Sequence, residues 1–531
     1  MYKNNFKKNS AKLLINFSLL LVILLFIKVD FRLEAEIFCC GDDHDYYSHA
    51  ETLVEDFDFD YQNQLKGFED SRYSNNGKIA PIGFFGSGLL ASPFLFVGNI
   101  FDKFLTINDQ LSYKVLFYSF SAIFYVILTL NYLMKIKEMM NSTLSRKYVL
   151  LLYLGSGVSY YAFERFSMTH VYEVFTITMI SYFVIKIQKE NFKIDLKKNI
   201  ILLTFFIFLG FNVRWVNYFI FVLPVFLPTY LDINYIKIYK EKIFLFGILF
   251  FALLTIQINK LIYGIYTLNP TKVYSSDVSI SSLLEFNLLE SFTMYSSSFI
   301  NILFSQEFGI FYFSPILFFG FLFLLKNTLM NMKNFQNYLG LAIYAQVFFI
   351  VLIWQSTASS YGFRYLFNLV PVSIIIVINE HNKYKSDKYS VVFNLIFLLS
   401  IFSFISTLFF ETTELTQLSL ENKLNTFGKS VPYTQPQYLK GYLLSLVSLI
   451  AYLKIFVTSY LGLFFFKLTF SFISIDNFIN FVDSFNLNLN DEKIVSLLTK
   501  YSNLDFSYVL INLFLVIFIY KYLDKLIIRE E

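Results

Sequence analysis

Charged residues are scarce in this chain of 531 residues: 15% are Asp, Glu, Lys or Arg, whereas 56% are hydrophobic and 21% aromatic. A water-soluble domain cannot bury so much apolar surface, so the composition excludes that class and indicates a polytopic membrane protein. The apolar runs also lack the period-two alternation of strands, which disfavours an outer-membrane barrel. We therefore expect an all-α protein.

Cysteine is nearly absent as well, because the chain has only Cys39 and Cys40. Adjacent cysteines do not readily adopt disulfide geometry, so we expect no disulfide framework. A strong positive charge is also missing: the net charge is +4, and the basic residues lie in short clusters between apolar runs. The positive-inside rule accounts for these clusters, and we expect no nucleic-acid partner.

Several apolar runs without charged residues have roughly the length of a membrane span. With less uniform stretches they predict about 11 to 13 transmembrane helices. The first run follows a lysine-rich N-terminus and lacks a convincing cleavage site, so we interpret it as an uncleaved first span. The runs are Leu13–Ile27, Tyr148–Tyr161, Ile200–Phe211, Ile243–Ile256, Ile310–Leu325, Leu341–Trp354 and Phe506–Tyr520.

The charge distribution predicts the side of the membrane on which each loop lies. Residues 30–80 contain 13 Asp or Glu against 4 Lys or Arg, as expected of an external loop. The basic cluster between residues 135 and 147 should be cytoplasmic, so an odd number of crossings separates the two. Glycines and a proline interrupt residues 82–101. We therefore place that segment in the outer interface and assign the crossing to residues 115–134.

These assignments divide the chain into four parts. The first span is 1–29, the acidic external loop with interfacial helices is 30–111, the transmembrane core is 112–410, and a C-terminal transmembrane region with external loops is 411–531. We find no internal repeat and no inverted pair of broken helices of the kind that indicates a transporter.

The unusual polar residues collect on the predicted external side, beginning with an acidic cluster after the first span. Asp42, Asp43 and Asp45 are so close that at least one pKa rises unless a cation or hydrogen bonds compensate. Such a group can supply a general base or a metal site, and Asp42, Asp43 and His44 are candidate ligands for Mg²⁺, Mn²⁺ or Ca²⁺. The alternative is a solvated acidic loop, which we expect for Glu55, Asp56, Asp58 and Asp60.

A second group of charged residues lies at predicted membrane boundaries, where unpaired charges are costly and usually pair or function. Arg165 can form an ion pair with Glu164 or with Glu173, or the three can belong to a binding site. Arg214 interrupts the apolar stretch 200–228, which is long enough for two short helices. We expect Arg214 at the tip where these helices meet.

Arg364 follows a loop of small residues that begins after Trp354. The planar guanidinium fork suits phosphate, so Arg364 is a candidate anchor for a lipid phosphate. The alternative is that it reaches ordinary phospholipid headgroups, as interfacial arginines often do.

In their order and predicted side, these elements resemble the GT-C superfamily of polytopic glycosyltransferases, which includes dolichyl-phosphate-mannose protein mannosyltransferases and bacterial aminoarabinose transferases. The resemblance extends from about residue 10 to residue 380. Ile82 separates a proline and a glycine that are adjacent in the family, and Gly-Phe-Arg-Tyr replaces the usual Gly-Pro-Arg-Tyr. The matching elements are Asp42-Asp43-His44-Asp45-Tyr46, Pro81-Ile82-Gly83-Phe84, Met168-Thr169-His170, Arg214, Ser305 to Pro315, and Tyr361-Gly362-Phe363-Arg364-Tyr365.

The resemblance implies a GT-C-like helical bundle in the plasma (inner) membrane, surrounded by membrane lipids and with its active site on the external (periplasmic) face. It implies transfer of a sugar, with inversion, from a polyprenyl-phosphate donor to a glycan, lipid or protein acceptor. Asp42 or Asp43 would be the base. Candidates for binding the donor phosphate are Arg364, Lys78 and Arg214. Candidates for binding the acceptor or sugar are Tyr46, Tyr47, His170, Glu164, Arg165 and Glu307.

Other functions are compatible with parts of this pattern. A transporter or flippase of lipid-linked oligosaccharides would also use external aromatic residues and arginines, but it should bury its ionisable groups near the bilayer midplane. A polysaccharide polymerase or ligase would centre its chemistry on a large later loop. A non-catalytic assembly factor is a further alternative.

Overall fold

The structure is a computed structural model that describes residues 41–67, 77–105, 112–163, 165–189, 193–233, 238–270, 288–305, 309–331, 334–354, 363–383, 387–409, 456–457, 459–485 and 492–528. Helices account for every regular element in this part of the chain, in agreement with the all-α prediction. The first predicted span, Leu13–Ile27, lies outside the described residues.

Not all of the described helices are α-helical. Residues Leu154–Val158 form a π-helical segment, and 3₁₀ helices occupy Trp215–Phe221, Ile238–Lys240 and Arg364–Leu369. The α-helices are α1 (Gly41–Glu55), α2 (Gly86–Phe104), α3 (Tyr113–Met139), α4 (Arg146–Tyr153), α5 (Ser159–Phe163), α6 (His170–Lys189), α7 (Lys193–Val213), α8 (Leu223–Tyr230), α9 (Lys242–Tyr263), α10 (Leu288–Phe304), α11 (Ile310–Phe313), α12 (Pro315–Met330), α13 (Phe335–Trp354), α14 (Val370–Lys383), α15 (Asp387–Phe409), α16 (Tyr460–Phe470), α17 (Ile475–Asp483), α18 (Glu492–Asn503) and α19 (Phe506–Ile528).

The described residues belong to two compact units. The larger contains the described parts of Ile37–Val97 and Phe117–Phe404, and the smaller contains those of Gly98–Leu116 and Ile405–Glu531. The described part of the predicted external loop, up to Val97, therefore belongs to the same unit as most of the predicted transmembrane core.

Six helices in the described residues are long and apolar enough to cross a membrane, namely α3, α6, α7, α9, α15 and α19. A seventh candidate is the pair α16 and α17, which is bent by 111°. In α6, 89% of the apolar window is buried inside the protein, whereas in α9 the buried share is 17%. Helix α6 therefore lies in the interior, whereas α9 presents most of its apolar surface outward. The predicted total of about 11 to 13 spans stays a prediction.

The predicted span Tyr148–Tyr161 is broken in the structure. It consists of α4, the π-helical segment and α5, and Gly157 within it has a φ of 88° that favours glycine. A side chain on Gly155 would overlap the carbonyl oxygen of Ser400 in α15. The apolar run therefore forms short buried helices instead of one continuous helix, and it packs closely against α15 at Gly155.

The apolar stretch 200–228 is interrupted at Arg214, as the sequence predicts. Helix α7 ends at Val213, Arg214 has an extended conformation with φ −160° and ψ 131°, and the 3₁₀ helix begins at Trp215. Arg214 is only 8% exposed. The side chain of Arg214 is therefore buried inside the larger unit.

Helix α1 begins at Gly41, so the acidic pair forms the first turn of a helix rather than part of an extended loop. Carboxylates are favourable there because the helix dipole is positive at its N-terminus. The next helix, α2, approaches closely: a Cβ on Gly88 would lie 2.5 Å from the Cβ of His49. This contact explains the glycine at position 88. Helix α2, which contains Pro93, is not among the spanning candidates.

The smaller unit contains an aromatic cluster. Phe466 of α16 stacks on Tyr501 of α18 with ring centroids 5.8 Å apart. At the start of α3, the backbone N–H of Tyr113 donates to Asp102 Oδ1 over 2.7 Å, and the ring of Tyr113 lies 5.4 Å from that of Tyr508 in α19.

Candidate active site

Asp42 and Arg364 meet in the structure although 322 residues separate them. Arg364 Nη1 donates to Asp42 Oδ2 over 3.3 Å, the Asp42 side chain is 48% exposed, and that of Arg364 is 15% exposed. Nε of Arg364 is buried and donates no hydrogen bond to any described residue. The pair therefore places a half-exposed carboxylate beside a largely buried guanidinium.

Asp43 has the opposite environment. Its side chain is almost fully buried, Arg165 donates to Oδ2 from Nε over 2.7 Å and also from Nη2, and the Ser167 hydroxyl donates to Oδ1. Burial raises the pKa of Asp43, while the Arg165 guanidinium and the Ser167 hydroxyl oppose that shift. Asp43 is thus held in a closed ion pair, and of the two predicted bases only Asp42 is open to a substrate.

A second arginine lies beside Arg364. The ring of Tyr365 contacts both guanidinium groups: Cζ of Arg214 lies 4.5 Å from the ring centroid and Cζ of Arg364 lies 5.2 Å from it. Nη2 of Arg364 also donates to the Tyr365 hydroxyl over 3.3 Å. One aromatic ring therefore holds two cations close together, an arrangement that suits an anionic ligand.

Glu173 in the first turn of α6 balances Arg214. It is fully buried, and Nη1 of Arg214 donates to its Oε2 over 3.2 Å. Nδ1 of His170 lies 3.4 Å from that Nη1 and 3.5 Å from that carboxylate oxygen. Of the alternatives for Arg165, the structure therefore places Glu173 against Arg214 and pairs Arg165 with Asp43.

The two tyrosines of α1 differ because neighbouring residues of a helix point in different directions. Tyr46 contacts Gly83, whose φ is 120°, and experiences the charges of Asp42, Arg214 and Arg364. Burial raises the pKa of its hydroxyl. Tyr47 is 5% exposed and packs edge-on against Tyr118 of α3, with ring centroids 5.0 Å apart. Tyr46 thus borders the site, whereas Tyr47, a predicted sugar ligand, belongs to the core.

Lys78 and His44 lie in other surroundings. Lys78, predicted to bind the donor phosphate, donates from Nζ to the carbonyl oxygen of Leu261 near the end of α9 over 2.7 Å. Nδ1 of His44 lies 3.4 Å from the Ser48 hydroxyl. The described residues contain no group of three His, Cys, Asp or Glu side chains placed to hold a metal ion. Asp42, Asp43 and His44 are thus not gathered as one ligand set, because the two aspartates face different arginines.

The carboxylates that follow α1 are exposed, as predicted for Glu55, Asp56, Asp58 and Asp60. Glu164 and Glu307, two further candidates for binding the acceptor or sugar, lie outside the described residues, as does most of the small-residue loop before Arg364. The structure adds Tyr365 and Ser167 to the site. Tyr365 follows Arg364 directly in the sequence, whereas no sequence signal relates Ser167 to Asp43.

Chemically, the arrangement combines a carboxylate that can accept a proton with two arginines that can hold an anion. No protein-family model, curated protein or solved structure matches this chain. The function therefore has to be inferred from the chemistry of Asp42, Arg214 and Arg364 and of their neighbours.

Proposed function

We propose that the protein is a membrane glycosyltransferase that moves a sugar from a polyprenyl-phosphate donor to an acceptor hydroxyl at the external face of the membrane. The observation that carries this proposal is the contact of the half-exposed Asp42 with Arg364, with Arg214 packed against the ring of the neighbouring Tyr365. Transfer from a phosphate leaving group needs a base and cations in one place, and this cluster has both.

In the proposed reaction Asp42 is the base. One of its carboxylate oxygens takes the proton of the acceptor hydroxyl, and the acceptor oxygen forms a bond to the anomeric carbon. The bond between that carbon and the phosphate oxygen breaks, and its electron pair leaves with the polyprenyl phosphate. Attack from the side opposite the phosphate inverts the anomeric configuration.

The ion pair between Asp42 and Arg364 couples proton transfer to departure of the phosphate. When Asp42 accepts the proton it loses its negative charge, and Arg364 loses the partner that its Nη1 contacts at 3.3 Å. The guanidinium charge then acts on the phosphate as negative charge develops there. This stabilises the transition state more than the ground state, which is the requirement for catalysis.

An apolar cavity supports an isoprenoid donor. It has a volume of about 350 Å³ and lies between α7, α9 and the 3₁₀ helix Trp215–Phe221. Phe211 and Tyr218, which line it, stand on either side of Arg214 in the sequence. Since α9 presents apolar residues outward, the cavity borders the part of the protein that would face lipid. Part of a polyprenyl chain fits such surroundings while its phosphate lies at Arg214.

The resemblance to the GT-C superfamily, with its acidic pair after a first span, supports the same proposal. A position at the external face follows from the acidic charge of residues 30–80 and the positive-inside rule. A transporter would be expected to carry ionisable groups near the middle of its spans. Glu173 lies instead in the first turn of α6, at the end of the helix.

The test is turnover of an Asp42→Asn variant in lipid nanodiscs. Polyprenyl-phosphate hexoses and pentoses serve as donors, and release of polyprenyl phosphate is measured with total membrane lipids or glycans as acceptors. The substitution removes the base without changing side-chain volume, so we expect a loss of about 100-fold or more. Asp56→Asn, an exposed carboxylate beyond the same helix, is the matched control and should keep wild-type turnover. Wild-type turnover in the Asp42 variant would overturn the proposal.

A further inference from the structure

The proposed reaction assigns no role to the buried carboxylate of Glu173. It is fully buried in the first turn of a candidate membrane span and contacts Arg214, one of the two arginines beside Tyr365. Resting on the proposed function, we infer that Glu173 is a positioning residue that limits the affinity of the site for the product phosphate and so speeds product release.

The charges around Tyr365 are balanced before a ligand binds. Asp42 offsets Arg364 and Glu173 offsets Arg214, while Asp43 and Arg165 form a separate closed pair. His170 and Asn217 also face the Glu173 carboxylate. Because Glu173 has no exposed surface, its charge is poorly screened by solvent and acts directly on whatever anion Arg214 binds.

The donor and the product differ in charge. The donor is a phosphodiester with one negative charge, whereas the released polyprenyl phosphate is a monoester that carries about −1.5 to −2 at pH 7. Two arginines without counter-charges would bind the product more tightly than the donor, and the enzyme would stall after each turnover. A fixed negative charge behind Arg214 weakens binding of the more highly charged product most.

The contact between Glu173 and Arg214 also accounts for the positioning role of Glu173. Oε2 of Glu173 accepts a hydrogen bond from Nη1 of Arg214 over 3.2 Å, and the guanidinium packs against the ring of Tyr365, so these two contacts fix the orientation of the arginine. Glu173 therefore orients Arg214, and its buried charge in addition acts directly on an anion bound beside Tyr365.

The experiment measures binding of two probes to the full-length protein in nanodiscs. Farnesyl phosphate represents the monoester and farnesyl methyl phosphate the diester, and the ratio of their Kd values is the readout. In Glu173→Gln we expect this ratio to shift in favour of the monoester by about tenfold. With the polyprenyl-phosphate-sugar donor, KM should fall and kcat should fall with it. A merely structural residue would not change the ratio.

Two further variants complete the design. Glu173→Asp keeps the charge and should keep the wild-type ratio. Glu380→Gln, which changes a fully buried carboxylate among other residues, is the matched control and should also keep it. If Glu173→Gln does not fold, the same exchange is made in an Arg214→Gln background, where no buried arginine is left without a counter-charge. Removal of the Glu173 charge should again shift the ratio toward the monoester.

An unchanged ratio in both backgrounds, with wild-type binding of the probes intact, would overturn the role of Glu173 and leave the proposed function standing. Failure of the wild-type protein to bind either lipid phosphate would instead overturn the proposed function, and the role of Glu173 with it.

Discussion

Buried carboxylates of the larger unit can be compared in two kinds of surroundings. Glu380 of α14 is fully buried, and its Oε1 accepts hydrogen bonds from the Tyr230 hydroxyl over 3.1 Å and from the Asn327 amide over 2.9 Å, with Lys383 Nζ at 3.6 Å. Asp43 and Glu173 are equally buried but are paired with arginines.

The difference indicates what each cluster does. The partners of Glu380 come from α8, α12 and α14, so this carboxylate joins three helices, and two of its partners are neutral donors. Around Tyr365, by contrast, two guanidiniums approach one aromatic ring and one of them reaches a half-exposed carboxylate. Neutral hydrogen bonds suffice to connect helices. The arginine cluster differs because its charges are paired with each other and one of the pairs is open to solvent.

The largest difference between the arginine-paired carboxylates and Glu380 is expected for Asp43. Asp43→Asn leaves the buried Arg165 without its counter-charge, so we expect a loss of about 3–5 kcal/mol in the free energy of unfolding. Glu380→Gln keeps an acceptor for its neutral partners and should lose less, about 1–2 kcal/mol. Thermal unfolding of both variants in the same detergent measures the difference. Equal losses would mean that the arginine-paired cluster is no more dependent on charge than the Glu380 cluster.

Arg364→Lys tests whether the guanidinium of Arg364 binds the phosphate of the donor. Lysine keeps the charge but loses the planar fork, so turnover should fall by about 100-fold while the KM for acceptor stays nearly unchanged. The matched control is Lys383→Arg beside Glu380, which should keep wild-type turnover. Steady-state kinetics with both substrates varied provide the measurement. A rise in the KM for acceptor alone would assign Arg364 to the acceptor and leave Arg214 as the phosphate ligand.

The smallest change in kinetics is expected for a substitution in the apolar cavity between α7 and α9. Ala252 of α9 lines the cavity, and Ala252→Phe should fill part of it. We expect the KM for a long-chain polyprenyl-phosphate donor to rise by about threefold to tenfold, since roughly one hydrophobic group's binding is lost. A donor with a short chain should be unaffected. Leu253→Phe, at a neighbouring residue that is 58% exposed on α9, is the control. Identical KM values for Ala252→Phe and wild type would separate the cavity from the donor.

Much of the local structure could be predicted from the sequence. The apolar composition requires helices, because unsatisfied backbone groups are too costly in lipid, and the described residues are helical throughout their regular elements. The break at Arg214 and the exposure of Asp56 and Asp58 follow from where charges occur along the chain. By contrast, the apolar run Tyr148–Tyr161 gave no indication of its π-helical interruption, since that depends on the approach of Ser400 from a distant helix.

The helical class and the importance of the acidic pair and of the two isolated arginines can be predicted from the sequence alone, because they depend on composition and on local spacing. The different surroundings of Asp42 and Asp43, which are adjacent and chemically identical, arise from tertiary packing. Successive residues of a helix point about 100° apart, so one side chain reaches solvent and Arg364 while the other enters the core and meets Arg165. Exposure and ion pairing arise from residues brought together across the fold, and they separate a candidate base from a structural carboxylate.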